Sequence, residues 1–336
     1  MTTVNNPIVS KILLATDFSH SAKLAQAYTE YLAATLKASV VALHVEEHPS
    51  PTERPLTEQD IQSRLQTLED KIREGAVPVS VQRSIGNPGD EILSAAHRLD
   101  ADIIAMGMRG WTHAPYGLIG ATTHTVTTSG PCPVLSVPLP VKEASHCAFS
   151  PPRAVSIRRM LAPVDFSTPS LDSLECAMQL AHRLGAHLVL LHVSESPHAD
   201  WDPHRMKSAG QMREQWEARL GNLAGVLKSL GLSTTYDVRT GFPPDSILAG
   251  ALHHGCDLIV MGTHGRRGRE GTKVGSVAEA VLKQATCSVL TVKNPKFARR
   301  PAIQTVLSTN SGDAAIERTA GSIPRVNKGK GGWDVS

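Results

Sequence analysis

Aromatic side chains are scarce in this sequence, at 4% of 336 residues, although hydrophobic residues make up 41%. A chain this long can bury ample core, and that core must be built from Ala, Val, Leu and Ile. Cysteine is sparse as well. The five thiols (Cys132, Cys147, Cys176, Cys256, Cys287) are odd in number, scattered and free of any CxxC pair. That excludes a disulfide framework and a zinc ribbon, and leaves reduced, mostly buried thiols as the plain reading. No apolar run approaches the roughly 20 residues of a bilayer span. The N-terminal stretch MTTVNNPIVSKILLATDFSH has no basic region followed by a long apolar core, so it does not read as a secretion signal. The expected setting is the cytoplasm, with no membrane partner. Excess charge of one sign is missing too: the net charge of +3 gives no argument for nucleic acid as a specific partner.

What is present is one unit written twice. KILLATDFSHSAKLAQAYTEYLAATLKASVVALHV, from Lys11, aligns without a gap with RMLAPVDFSTPSLDSLECAMQLAHRLGAHLVLLHV, from Arg159. The offset is 148 (165 − 17 at the Asp-Phe-Ser triplets). GNPGDEILSAAHRLDADIIAMGMRG, from Gly86, aligns with GFPPDSILAGALHHGCDLIVMGTHG, from Gly241, at an offset of 155. So long a period means duplicated domains. In each copy five short Val/Ile/Leu runs alternate with helical stretches, among them 21–36, 57–74, 88–99, 170–184 and 212–230. Several runs are continuously apolar, as parallel strands covered on both faces require. The pattern predicts two α/β domains with doubly wound parallel sheets, at 1–140 and 157–293. A proline-bearing linker joins them at 141–156. The polar, Gly-rich, aperiodic segment 294–336 is expected to be disordered.

The densest chemistry lies in MGTHGRRGREGTKVGSVAE, which packs five glycines and five cations after a strand. Ligands of open α/β sheets bind beyond the carboxyl ends of strands, so this bend stands where a ligand would. Gly262 and Gly265 are expected to supply positive φ and bare main chain. Ser276 is expected as the N-cap of the helix SVAEAVLKQA, with Glu279 completing a capping box. A helix start with free N–H groups attracts anions, and His264, Arg266, Arg267, Arg269 and Lys273 add cations. The ligand should therefore carry phosphate. There is no GxxxxGK[ST] and no GxGxxG after a first strand, so neither a Walker-type loop nor a dinucleotide fingerprint is present.

The spacing that does occur is G-x2-G-x9-G-S: Gly262, Gly265, Gly275, Ser276. It resembles the ATP-binding signature of the universal stress protein family. The likeness includes Asp-Phe-Ser after the first strand, Leu-His-Val ending the second, and Cys-Xaa-Val-Leu-Xaa-Val at the last, and it covers both copies. It implies a Rossmann-like, five-stranded parallel domain of strand order 3-2-1-4-5, occurring in tandem. It implies ATP as ligand, with Mg2+ able to accompany it, in a stress-response regulatory protein that is at most a slow ATPase. Asp165 would lie near ribose and adenine and Val193 would meet the adenine edge. Gly262, Thr263, His264, Gly265, Gly275, Ser276 and Val277 would hold ribose and phosphates, with Arg266 beside them. Family members commonly pair through their last strand. That implies an internal pseudo-dimer through PVLSVP and SVLTVK, with a homodimer also open.

Plainer readings stand beside these. Asp165 and Asp17 could cap the turns that follow them, with Ser167 and Ser19 helping. The loop cations could be a solvated surface, and Ser276 a helix cap without a ligand. In copy one, Gly107, Gly110 and Gly120 keep the spacing, and Asp17 and Val45 are retained. Ala121 replaces the serine there, and Trp111, Pro115 and Tyr116 enter the loop, leaving Arg109 and His113 to supply charge. Copy one reads as a weakened nucleotide site or an apolar packing surface. His44 and His192, in apolar strands, read as satisfied core residues, and no metal site is expected. No nucleophile triad or carboxylate pair stands out. Two alternatives remain open: an adenine-nucleotide-dependent phosphotransferase, although HxGH and SGGxDS are absent, and a dimerisation module that binds nothing.

Overall fold

The computed structural model describes residues 9–47, 56–110, 119–139, 155–194, 203–265 and 274–293. The loop cations Arg266, Arg267, Arg269 and Lys273, the copy-one residues Trp111, His113, Pro115 and Tyr116, Cys147 and the tail 294–336 lie outside them, as does most of the linker. The described residues of both copies fall in one unit.

Copy one runs β1 (Lys11–Ala15), α1 (His20–Leu36), β2 (Ser39–Glu46), α2 (Glu58–Glu74), β3 (Val79–Ile85), α3 (Pro88–Leu99), β4 (Ile103–Gly107), α4 (Ala121–Ser129) and β5 (Val134–Val137). Copy two repeats it as β6 (Arg159–Pro163), α5 (Thr168–Leu184), β7 (His187–Ser194), α6 (Pro203–Ser229), β8 (Thr234–Thr240), α7 (Pro243–His253), β9 (Leu258–Gly262), α8 (Ser276–Gln284) and β10 (Ser288–Val292). Five parallel strands per copy are as the apolar runs foretell. The central strands are buried on both faces, every residue of β9 and β10 being covered. The edge strands are more open, β3 having only half-buried and exposed positions and β8 mixing buried with exposed ones, and they carry Gln82, Arg83, Asp237 and Arg239.

Side chains set the helix starts. Ser19 accepts from the Ala22 N–H, Ser167 from Ser170 and Asn87 from Asp90, while Thr57 and Asp60 form a complete capping box. Within each copy the order is 3-2-1-4-5. The whole sheet reads β3-β2-β1-β4-β5-β10-β9-β6-β7-β8. The join is the antiparallel pair β5–β10, with Leu290 opposite Leu135. Backbone groups that would line two exposed edges are thereby paired within the chain.

The seven-residue slip between the copies can now be placed. Arg64 lies over the Phe18 ring in copy one and Arg219 over Phe166 in copy two. The phenylalanines differ by 148 (166 − 18) and the arginines by 155 (219 − 64). The extra residues therefore enter between β7 and Arg219, where α6 starts ten residues further ahead of its arginine than α2 does, 16 against 6. Both phenylalanines adopt the left-handed region, at φ 62° and 63°. That costs an L-residue roughly 1–2 kcal/mol, and it turns each ring under the second helix of its copy. Phe18 packs there against Ile61 and Leu65.

Candidate functional site

Asp165 follows β6, and its carboxylate holds the turn. Oδ1 accepts the Ser167 N–H at 2.9 Å and the Ser167 hydroxyl at 2.5 Å. In copy one, Asp17 Oδ1 accepts the Ser19 N–H at 2.9 Å. The turn-holding reading of both aspartates is therefore real, and it occupies one oxygen of each. The second oxygen is hemmed in by glycine. A Cβ at Gly265 would stand 2.8 Å from Asp165 Oδ2, and one at Gly110 would stand 2.7 Å from Asp17 Oδ2.

The glycines thus serve close approach rather than unusual torsion. Neither Gly262 nor Gly265 is among the positive-φ residues, which corrects the expectation drawn from sequence. At Gly262 a Cβ would lie 2.8 Å from the Pro169 carbonyl, and at Gly107 2.8 Å from the Ala22 nitrogen. In both copies the end of the fourth strand presses on the start of the first helix, leaving no room for a side chain.

The helix start departs from expectation as well. Gly275, not Ser276, is the N-cap of α8, with φ −63° and ψ 150° and no side-chain cap. Ser276 is the first helical residue. Glu279 does not close a capping box but pairs with Lys283 at 2.6 Å, which holds its carboxyl below the usual carboxylate range. The Gly275 N–H is donated to the Thr263 carbonyl at 2.7 Å. The N–H groups of Ser276 and Val277 follow in the first turn, where a helix leaves donors without internal partners.

This helix start opens on a cavity of about 500 Å³, within the ordinary range for small-molecule sites. Its polar end is formed by Thr263, His264, Gly265, Gly275 and Ser276. Asp165, Gly262 and Val277 also line it, as does Val193, so every copy-two candidate within the described residues borders one space. His264 Nδ1 lies 3.0 Å from the Thr263 hydroxyl. Its Nε2 is buried without a hydrogen-bond partner among the described residues, a position that a ligand oxygen would satisfy.

Apolar side chains that were not foreseen complete the lining: Leu191, Met212, Trp216, Pro243 and Ile247. Trp216 comes from α6, stacks on Phe166 (5.6 Å between centroids, 17° between planes) and lies 4.1 Å from the His192 ring. His192 is 3% exposed and its Nδ1 lies 2.7 Å from the Val164 carbonyl, so that nitrogen donates. His44 does the same to Thr16 at 2.8 Å. Both are satisfied core histidines, as their apolar strands indicate.

Copy one keeps the frame and fills it differently. Gly120 caps α4 without a side chain, Ala121 begins the helix and Thr122 follows. Thr123 spends its hydroxyl on the Gly107 carbonyl at 3.1 Å. Val45 packs against the core of its own half. Met108, at the position of Thr263, is fully buried in the hydrophobic cluster of copy two, and Ile119 packs against the same cluster. Arg109 turns its guanidinium toward the Lys283 carbonyl of α8, at 3.5 Å.

Among the described residues no group of three or more His, Cys, Asp or Glu is gathered as a metal ion would need. Three of the described thiols, Cys176, Cys256 and Cys287, are not activated. Burial pushes Cys256 up to about 11 and Cys287 up to about 12, and raises Cys176 further.

The model of the universal stress protein family matches residues 9–138 and 156–293. A universal stress protein of Methanocaldococcus jannaschii is 30% identical over 146 residues, covering 41% of this chain and 84% of the relative. One of Thermus aquaticus is 33% identical over 132 residues, covering 38% of this chain and 96% of the relative. Among solved structures, a universal stress protein from Archaeoglobus fulgidus superposes with a TM-score of 0.61 at 22% identity, over 84% of this chain and 98% of its own. A putative universal stress protein from Pseudomonas aeruginosa also reaches 0.61, at 17% identity, over 91% of this chain and 100% of its own. At that identity the structures speak for the fold.

Proposed function

This chain belongs to the universal stress protein family, and from that premise we propose that it is an ATP-binding stress-response regulatory protein whose nucleotide site lies in copy two. The observation that carries this is the α8 start: a glycine-capped helix, with no side chain over its first N–H groups, opening on a cavity that ends in an apolar wall. A helix dipole and bare donors suit phosphate. The apolar wall suits a base.

In this reading the backbone of Gly262, Thr263, Gly265, Gly275, Ser276 and Val277 holds ribose and phosphates. His264 offers its unpartnered Nε2, and Arg266 adds charge from the loop. Asp165 accepts from a ribose hydroxyl, and Val193 meets the base edge. Mg2+ would enter with the nucleotide, since no described carboxylate cluster is built for it. In this reading hydrolysis is slow at most, and the absence of HxGH and SGGxDS from the sequence disfavours a phosphotransferase.

We assign Asp17, Val45, Gly107, Gly110 and Gly120 of copy one to packing rather than tight binding. Met108, Ile119 and Arg109 all reach into copy two, and that supports this assignment. The domains are taken as 1–140 and 157–293, joined as a pseudo-dimer for which the β5–β10 pairing is the support. The sheet edges β3 and β8 leave a homodimer open. No described helix is long and apolar enough to cross a membrane, and the cytoplasm is the proposed location.

Calorimetry of the full chain with ATP tests the reading. One site per chain is expected, lost in Asp165→Ala and retained in Asp17→Ala. No binding, or two equivalent sites, overturns it.

A further inference from the structure

The apolar lining of the copy-two cavity includes one large aromatic side chain that copy one replaces by a smaller aliphatic one. Strands and helices of the two copies match at an offset of 155 from the second helix onward, which sets Trp216 against Ile61 (216 − 155). Both residues face the left-handed phenylalanine of their copy: Ile61 packs on Phe18, and Trp216 stacks on Phe166. Trp216 also borders the cavity.

Its orientation is fixed from several sides. Phe166 lies nearly parallel to it. His192, locked by its bond to the Val164 carbonyl, sits 4.1 Å away. The Arg219 guanidinium lies 3.9 Å from the Phe166 centroid and 5.7 Å from the Trp216 centroid, in the range of cation–π attraction. A ring fixed in this way loses little freedom when a flat ligand settles beside it. The position along the cavity is also defined. α6 packs on β7 and β8, whereas the α8 start adjoins β9, on the other side of β6 in the sheet order. Trp216 and the helix N-terminus therefore mark opposite ends, with Asp165 between them.

We propose that Trp216 is the specificity-determining platform of this cavity: it takes the aromatic base of the ligand, so that the site selects nucleotides over bare polyphosphates, and Ile61 denies copy one the same selection. The proposal rests on the nucleotide-binding reading above. It goes beyond it in naming what recognises the base. Stacking of a base on an aromatic ring tolerates any base with a π-face and favours the larger purines.

The test is calorimetry of the full chain with ATP and, separately, inorganic tripolyphosphate. The proteins are wild type, Trp216→Ile and Trp216→Phe. Ile is the residue the fold already accommodates in copy one, and Phe keeps a π-face if Ile perturbs α6. Wild type should bind ATP at least about tenfold more tightly than tripolyphosphate. Trp216→Ile should lose that margin on ATP alone, and Trp216→Phe should keep most of it. A second readout uses a chain whose other tryptophans (Trp111, Trp201, Trp333) are Phe, so that Trp216 is the sole reporter. ATP should change its fluorescence and tripolyphosphate should leave it unchanged. If wild type binds both ligands equally, or Trp216→Ile binds ATP as wild type does, the platform is overturned while the anion site stands. If wild type binds neither, the nucleotide-binding reading falls with it.

Discussion

Oδ2 of Asp165 lies 2.8 Å from where a Cβ on Gly265 would stand. Real Cβ atoms do not approach an oxygen so closely, so any side chain at 265 must push the carboxylate or the loop aside. Oδ1 is tied to Ser167 by two hydrogen bonds, so the carboxylate cannot swing away without breaking its turn. Gly265→Ala should therefore lower ATP affinity about tenfold, near 1.4 kcal/mol. Gly110→Ala makes the matching clash with Asp17 in copy one and should leave ATP affinity unchanged. Calorimetry on the pair decides. Equal losses in both would mean that the effect is general loosening and not the Asp165 site. Gly275 is a poorer test, because its Cβ would meet the Thr263 carbonyl at 3.1 Å and disturb the helix start itself.

The copies should not be separable in stability. Met108 belongs to copy one by sequence and to the copy-two core by packing, fully buried beside Leu161, Ile259, Val281 and Val289. Met108→Ala should cost about 2–5 kcal/mol in denaturant unfolding, as a buried large-to-small change does. It should also lower the unfolding midpoint reported by probes in either half. A loss under about 1 kcal/mol would show that this contact does not join the two cores.

The strands and their duplication were readable because burial on both faces writes a continuous apolar run, and each run appears twice. The helix ends were less so. S-x-x-E at Ser276 and Glu279 matches a capping box in letters, yet the backbone enters the helix one residue earlier than an N-cap at 276 would require. Gly275 takes the extended cap torsions, and Glu279 finds Lys283 one turn on. The positive φ of Phe166 was hidden because nothing local favours it. The ring's place under Arg219 and beside Trp216 does. Trp216 itself was overlooked for a related reason. The chain between β7 and Trp216 is seven residues longer than its copy-one counterpart between β2 and Ile61, so the alignment breaks just before the tryptophan. Gly262 and Gly265 were found by spacing but explained wrongly, since crowding by Pro169 and Asp165 is invisible without coordinates.

The exposed edge of copy two should titrate with a defined sign. Asp237, on β8, accepts from Arg239 Nε at 2.8 Å and lies 3.0 Å from Nε2 of His254, where α7 ends. Burial alone would raise its pKa, but the hydrogen bonds from Arg239 and His254 outweigh burial and lower it. A carboxyl whose native value lies below its unfolded value of about 3.9 stabilises the fold above that pH. The contribution disappears as pH falls through the lowered native value. Asp237→Asn should therefore cost stability at pH 7 and nothing near pH 2. The side chain is 24% exposed, so screening limits the loss to about 1 kcal/mol or less. Urea unfolding of wild type and Asp237→Asn between pH 7 and pH 2 should give curves that converge at the acid end. Curves that stay parallel throughout would show that the asparagine acts through packing, and that the charge of Asp237 does not hold β8 to α7.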